Sequence, residues 1–269
     1  MIDYMVTFFK SFFQNPSASG THLAIAIGLA IAFGAVWLAC YRPPLFKKPW
    51  LWAVLVSSAF LALAAASFIQ IPLQVWTGQA LSHFWSQEVL MRWILLAGIP
   101  QILLSGLVQE GAKLVPVVVY WQRSGKNIDP KLGLAIGAVA GAGFGIFELQ
   151  WAHNLIFASG WTWASVQAGG FWALAGFWER FFAVAAHIAL SGLAGYGLAR
   201  GWGWQFYLIA AALHALLNYS IVLAQAGLLT TTVQVEIYVA VVAVAVTAWA
   251  LWLRWRKGAD TAESAISDP

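Results

Sequence analysis

Charged residues are scarce in this chain of 269 residues: Asp, Glu, Lys and Arg make up 9% of it, whereas hydrophobic residues make up 61%. The mean hydropathy is +0.76. A soluble domain usually carries about 25% charged residues, so this composition argues against a soluble domain. It predicts an integral membrane protein with the lipid bilayer as its surroundings.

Cysteine is almost absent, because Cys40 is the single one, and a disulfide within the chain is therefore excluded. The sequence also lacks an HExxH motif, a phosphate-binding loop and a dinucleotide-binding fingerprint. A formal charge of +4 is also found in nucleic-acid-binding proteins, but here the basic residues lie in short loops between apolar stretches. There they are typical of membrane topology signals, and we expect no nucleic-acid partner.

Seven apolar stretches are long enough to cross a bilayer, which takes about 20 residues. They are predicted over 21–41, 50–70, 93–122, 132–158, 177–199, 204–225 and 234–253. The segments between them are rich in turn-forming or polar residues. The predicted fold is an all-α, polytopic membrane helical bundle that forms a single transmembrane domain over 1–269.

Basic residues collect in alternate loops, and loops of this kind usually stay in the cytoplasm. They are Arg42, Lys47, Lys48, Arg123, Lys126, Lys131, Arg200, Arg254, Arg256 and Lys257. The pattern predicts an N-terminus outside the cytoplasm and a C-terminus inside it, so that the polar segment 258–269 becomes a cytoplasmic tail. The segment 1–20 is interpreted as interfacial, because Asp3 and Lys10 interrupt its apolar residues.

Four ionisable residues lie near the middle of predicted spans: Glu110 in the third, Glu148 in the fourth, His187 in the fifth and His214 in the sixth. A charged group at the bilayer centre costs about 2.5–3.5 kcal/mol on insertion scales, so such groups usually face the bundle interior and mark function. A structural polar network that ties helices together is the alternative interpretation.

Further polar residues accompany these four. Gln109 and Lys113 flank Glu110 within little more than one helical turn, so Lys113 is expected to neutralise Glu110. Asn218 follows His214 by four residues and shares its helix face, whereas Arg180 precedes His187 by seven.

Glycine recurs every fourth residue in the fourth span, at Gly133, Gly137, Gly141 and Gly145. Small residues at this spacing let a neighbouring helix approach closely. We interpret the four glycines as a helix-packing stripe, and Glu148 is then held against the neighbouring helix.

A carboxylate and a histidine that face each other in a bundle can bind and deprotonate a water molecule, either alone or on a metal such as zinc. His214 and Asn218 can then donate hydrogen bonds to the oxyanion of a tetrahedral intermediate. The arrangement predicts a hydrolase.

Four motifs occur in order on successive spans: "QEGAK", "GAGFGIFE", "ERFFAVAAHIALS" and "HALLN". Together they resemble the PrsW and YhfC intramembrane proteases, which are distant relatives of the CAAX prenyl endopeptidases. The resemblance covers roughly residues 100 to 222, and a catalytic core is predicted over 93–225. It implies a protease in the bacterial cytoplasmic membrane that acts on a membrane protein or a membrane-bound peptide.

The resemblance also implies roles for individual residues. Glu110 and His187 would activate water, with Glu148 in the same site. His214 and Asn218 would act as ligands or oxyanion donors, and Lys113 matches the basic position of the family. A zinc ion, if present, would be held by His187, His214 and Glu148, and the supporting residues would be Gln109, Lys113 and Arg180.

The chain departs from the family pattern at Gln109, where a first glutamate is expected. Either Glu110 or Glu148 serves as the base instead, or the site has lost peptidase activity and only binds. Ala183 stands where the CAAX pattern has phenylalanine, so prenylated substrates are not implied. Two further alternatives are a b-type haem protein that uses His187 and His214 as axial ligands and a proton-coupled transporter.

Overall fold

The computed structural model describes residues 1–13 and 19–256, and every regular element in these ranges is a helix. The predicted polar tail at 258–269 lies outside the described residues. The all-α prediction is therefore confirmed for the part of the chain that the structure describes.

The described residues form twelve α-helices. They are α1 (Ile2–Ser11), α2 (Gly20–Tyr41), α3 (Trp50–Ala65), α4 (Ile71–Phe84), α5 (Gln87–Arg92), α6 (Ile94–Ala97), α7 (Ile99–Arg123), α8 (Pro130–Ala158), α9 (Trp163–Gly169), α10 (Ala175–Ala199), α11 (Gly203–Gln225) and α12 (Thr232–Trp255). A π-helix, Ala66–Gln70, joins α3 to α4, and a 3-10 helix, Gly170–Leu174, joins α9 to α10.

Seven helical segments in the described ranges are long and apolar enough to cross a membrane. They are Gly20–Tyr41, Trp50–Phe84, Ile94–Arg123, Pro130–Ala158, Trp163–Ala199, Gly203–Gln225 and Thr232–Trp255. The predicted number of spans is thus confirmed, whereas the orientation of the termini stays a prediction.

Two segments that were expected to be loops contain helices. The second span continues past residue 70 because α4 remains helical to Phe84 despite its polar residues, one of which, Gln74, bonds to α7. Helix α9 begins within the predicted loop before the fifth span, where Thr162 and Ser165 form a capping box. Polar neighbours and helix caps of this kind override a hydropathy pattern.

Helices α8 and α10 pack against each other in the centre of the bundle. Every residue from Gly133 to Gly145 is buried. The Cα atoms of Gly137 and Gly141 face the backbone carbonyls of Ser191 and His187, so that a Cβ at either glycine would collide with α10. The glycine stripe therefore brings the two helices into backbone contact at the level of His187.

We expect the substitution Gly137→Ala to lower the free energy of unfolding by about 1–3 kcal/mol, because the added methyl group overpacks the contact with Ser191. Gly28→Ala is the matched control, since a Cβ at Gly28 of α2 meets nothing within 4 Å. Thermal unfolding of the purified proteins in detergent compares the two. A Gly137→Ala protein as stable as the Gly28→Ala protein would contradict this packing.

The N-terminal helix α1 is attached to the bundle by aromatic contacts. The Phe12 ring stacks on Trp151 of α8 with ring centroids 5.0 Å apart, and Phe8 meets the same indole edge-on at 5.7 Å. Trp151 Nε1 donates a hydrogen bond to Ser11 Oγ at 2.9 Å. Helix α1 is therefore part of the packed bundle, and its interfacial position stays a prediction.

Candidate active site

Glu110 lies in the middle of α7 with a fully buried side chain, and three groups contact its two carboxylate oxygens. Lys113 Nζ donates to Oε1 at 2.5 Å, and His214 Nδ1 lies 2.7 Å from the same oxygen. Ser191 Oγ donates to Oε2 at 3.1 Å. The carboxylate is thus fixed by neighbours from α7, α10 and α11.

His187 of α10 is engaged through both ring nitrogens. Its Nδ1 lies 2.9 Å from Lys113 Nζ, and its Nε2 lies 2.6 Å from Glu148 Oε2. Because an ammonium only donates hydrogen bonds, Nδ1 acts as the acceptor, and Nε2 carries the hydrogen that is donated to Glu148. The two neighbours therefore select one tautomer of His187.

Residue spacing along α7 and the close packing of α8 on α10 bring these side chains together. Glu110 and Lys113 are three residues apart on α7 and share a face. The approach of α8 to α10 carries Glu148 to His187, and a Cβ at Gly145 would lie 3.2 Å from the Cβ of His187. Phe144 closes one side of the site, with its ring edge-on to His187 at 5.5 Å between centroids.

Glu110, His187 and His214 are arranged so that they can hold a metal ion. Each offers one ligand atom, and the three atoms lie within 4.8 Å of one another among buried side chains. Two histidines and a glutamate form a known ligand set of catalytic zinc sites, so the donor chemistry fits this metal.

The glutamate in this group differs from the one that the resemblance implied. Glu148 lies on the far nitrogen of His187, whereas Glu110 groups with His187 and His214. The Glu148 side chain is 23% exposed, whereas that of Glu110 is 0% exposed. The two carboxylates of the site therefore differ in how far the protein encloses them.

The other predicted site residues lie around this group. Asn218 Nδ2 donates to Ser105 Oγ of α7 at 3.1 Å, one turn away from His214. Arg180 forms an ion pair with its neighbour Glu179 and acts electrostatically on Glu148. Both residues belong to the surroundings of the group.

Gln109 points away from Glu110. Its Nε2 donates to Oε1 of Gln70 at 3.0 Å, at the end of the π-helix. Sequence reasoning missed Gln70, although glutamines at four-residue spacing within an apolar stretch, here Gln70 and Gln74, would have indicated a polar face. It also left Ser191 out of the site, although this residue follows His187 by one helical turn.

Comparison with protein families connects this geometry to a known group of enzymes. The chain matches the family described as PrsW family intramembrane metalloprotease over residues 47–249, which is more than half of its length. It belongs to this family. The predicted resemblance to PrsW proteases is confirmed, whereas the relation to the CAAX prenyl endopeptidases stays a prediction. The matched range of this PrsW-family protein contains Glu110, Glu148, His187 and His214. Neither the curated proteins nor the solved structures include a match to the chain.

Proposed function

We propose that this PrsW-family protein is an endopeptidase that hydrolyses peptide bonds of membrane-associated polypeptides, with zinc held by Glu110, His187 and His214. The observation that carries the proposal is the buried group of one carboxylate and two imidazoles with ligand atoms within 4.8 Å of one another. When bound, zinc supplies Lewis-acid activation of water and of the scissile carbonyl.

Glu148 and Ser191 orient the side chains that would hold the metal. Glu148 accepts the Nε2 hydrogen of His187, which leaves Nδ1 of that ring as a ligand atom. We assign Glu148 as the carboxylate that orients His187 and makes its Nδ1 a stronger ligand, because it lies on the ring nitrogen that faces away from the metal-holding group. Ser191 holds Glu110 in place through its hydroxyl.

The departure at Gln109 is compatible with turnover. The Gln109 amide is directed to Gln70, and the Glu/His/His group is complete without it. The alternative of an inactive binding protein therefore loses its main support. The haem alternative is also disfavoured, because the rings of His187 and His214 are in edge-on contact with centroids 5.2 Å apart and leave no gap for a porphyrin.

The proposal is tested by two measurements on matched preparations of the wild type and His214→Ala. Zinc content of the purified proteins should be close to one ion per chain for the wild type and near zero for the variant. In the native host, mass spectrometry of protein N-termini should detect new termini in or beside membrane spans only with the wild type. Wild-type protein that folds but yields neither zinc nor such termini would refute the proposed function.

We expect Glu148→Gln to lower zinc affinity and the cleavage rate together by about 10-fold, the low end of what the loss of a partner of a ligating histidine costs. Glutamine keeps an oxygen that accepts the Nε2 hydrogen of His187, but it lacks the negative charge that makes the ring a stronger ligand. Zinc titration and single-turnover cleavage of the same preparation at saturating zinc separate the two effects. A loss of cleavage that persists at saturating zinc would instead assign Glu148 a direct part in the proton transfer.

A further inference from the structure

Four glutamine side chains line the contact of α7 with the π-helix and α4, and we call this row the glutamine seam. Its members are Gln70, Gln74, Gln101 and Gln109. Gln109 Nε2 donates to Gln70 Oε1 at 3.0 Å, and Gln70 Nε2 donates to Gln74 Oε1 at 3.3 Å. The seam therefore leads along α7 to the residue next to Glu110.

Beyond Gln70, the side chains of Gln74 and Gln101 form a reciprocal pair of hydrogen bonds, which we call the clasp. Gln74 Nε2 donates to the backbone carbonyl of Gln101 at 2.8 Å, and Gln101 Nε2 donates to the backbone carbonyl of Gln74 at 2.9 Å. Pro72 is the one buried residue among the 14 residues of α4. Within the described ranges, these two amide–carbonyl bonds are the side-chain hydrogen bonds that join α4 to α7.

The connection between α3 and α4 is suited to bending. The π-helix Ala66–Gln70 interrupts the regular hydrogen-bond ladder, and Pro72 follows with no N–H to donate. Both features are recognised causes of kinks in helices. The helix direction can therefore change at this joint between α3 and α4.

At its inner end the seam has an unused hydrogen-bond acceptor. Gln109 is 7% exposed, and its Oε1 is buried without a hydrogen-bond partner in the ranges 1–13 and 19–256. A buried polar atom without a partner lowers the stability of the fold, because it has lost its hydrogen bonds to water. A group that donates to this oxygen would recover that stability.

A polypeptide span must unwind locally before it can be cut, and its freed N–H and C=O groups cannot be left in lipid. A glutamine amide offers one acceptor and two donors, which match those groups. Gln101 and Gln109 are eight residues apart, or about 12 Å along the helix, a length that about four residues of extended chain cover.

We propose that the glutamine seam is the entrance and docking strip for the unwound backbone of a membrane-spanning polypeptide. Opening of the clasp between Gln74 and Gln101 exposes the amides, which exchange their mutual hydrogen bonds for bonds to the substrate backbone. The Oε1 atom of Gln109 receives the N–H closest to the catalytic group. This inference rests on the proposed function and adds the route by which the substrate arrives.

The first test measures binding alone and is independent of hydrolysis. A photoreactive residue is placed at Gly78, where a Cβ would lie 3.4 Å from Gln101 Nε2, or at the control position Val241, which is 63% exposed on α12. The probes are two Lys-flanked Leu/Ala peptides of about 20 apolar residues, one with Gly-Pro at its centre and one without. Both are reconstituted with the protein in phosphatidylcholine vesicles.

We expect the Gly-Pro peptide to be captured at Gly78 at least about five times more efficiently than the uninterrupted helix, because only the former presents free backbone groups. Val241 should show no preference. Equal capture of both peptides at Gly78, no capture there, or the same preference at Val241 would each overturn the inference.

The second test removes the unused acceptor at the inner end of the seam. Gln109→Met keeps the length of the side chain but removes its amide, so it should lower capture of the Gly-Pro peptide at Gly78 at least about tenfold. The matched control is Gln150→Met on α8, outside the seam, which should leave capture unchanged.

The outcomes separate the entrance from the proposed function. Capture without cleavage keeps the seam and counts against the protease, whereas cleavage at the wild-type rate by the Gln109→Met protein keeps the protease and overturns the seam.

Discussion

Glu110→Gln should abolish zinc binding and lower the cleavage rate at least about 10⁴-fold. The substitution keeps the size of the side chain but removes the negative charge that Lys113 and His214 contact at 2.5 and 2.7 Å. A neutral amide is a poor zinc ligand, so metal activation and water deprotonation, each typically worth about 10²–10⁴-fold, would be lost together.

Glu236→Gln is the control for this prediction. Glu236 of α12 is also a buried glutamate, 8% exposed, and it lies outside the group that can hold a metal. The two variants are expressed at matched levels, and both N-terminal profiles and zinc content are measured. A Glu110→Gln protein that still generates the wild-type termini, or a Glu236→Gln protein that loses them equally, would show that Glu110 is not the centre of the site.

The proximity of Glu110, His187 and His214 could be predicted, because an ionisable side chain in an apolar span has few favourable positions. Lipid does not solvate them, so they must turn inward and find one another at a common depth. Their positions in successive spans were enough for this inference. The two carboxylates could not be ranked in the same way, because their ranking depends on how α8 is rotated against α10.

Gln109 illustrates the limit of a motif comparison. In the sequence it stands beside Glu110, and a change from the family pattern there argues for a damaged site. Adjacent residues on a helix point in directions about 100° apart, so the amide is directed to Gln70 of a different helix. A missing carboxylate at this position therefore says little about the group around Glu110.

The length of the second span could not be predicted for a related reason. Hydropathy detects segments that lipid can surround, and by this criterion the span ends near residue 70. Helix α4 continues because Gln74 finds a carbonyl on α7 and Thr77 Oγ1 bonds back to the Leu73 carbonyl at 2.7 Å. Polar residues with partners in the bundle remain helical where their composition predicts a loop.

Lys113→Met should increase zinc affinity by about 10³-fold, an effect opposite in sign to that of the other site substitutions. Lys113 Nζ contacts both Glu110 Oε1 and His187 Nδ1, at 2.5 and 2.9 Å. A metal ion bound to these two atoms would occupy the same space as the ammonium, so Lys113 must move away before the metal binds. An ammonium paired in a buried site is worth roughly 4 kcal/mol, and each 1.4 kcal/mol corresponds to a factor of ten in affinity.

Competition with a zinc-chelating dye measures the affinity of the wild type, Lys113→Met and the control Lys10→Met, whose side chain is exposed on α1. Methionine preserves the length of the side chain while it removes the charge. Without the ammonium, Glu110 loses its 2.5 Å ion pair until a metal binds, so zinc should also raise the melting temperature of Lys113→Met more than that of the wild type. Unchanged or weaker zinc binding in Lys113→Met would mean that the ammonium and the metal do not compete, and that Lys113 is the permanent partner of Glu110.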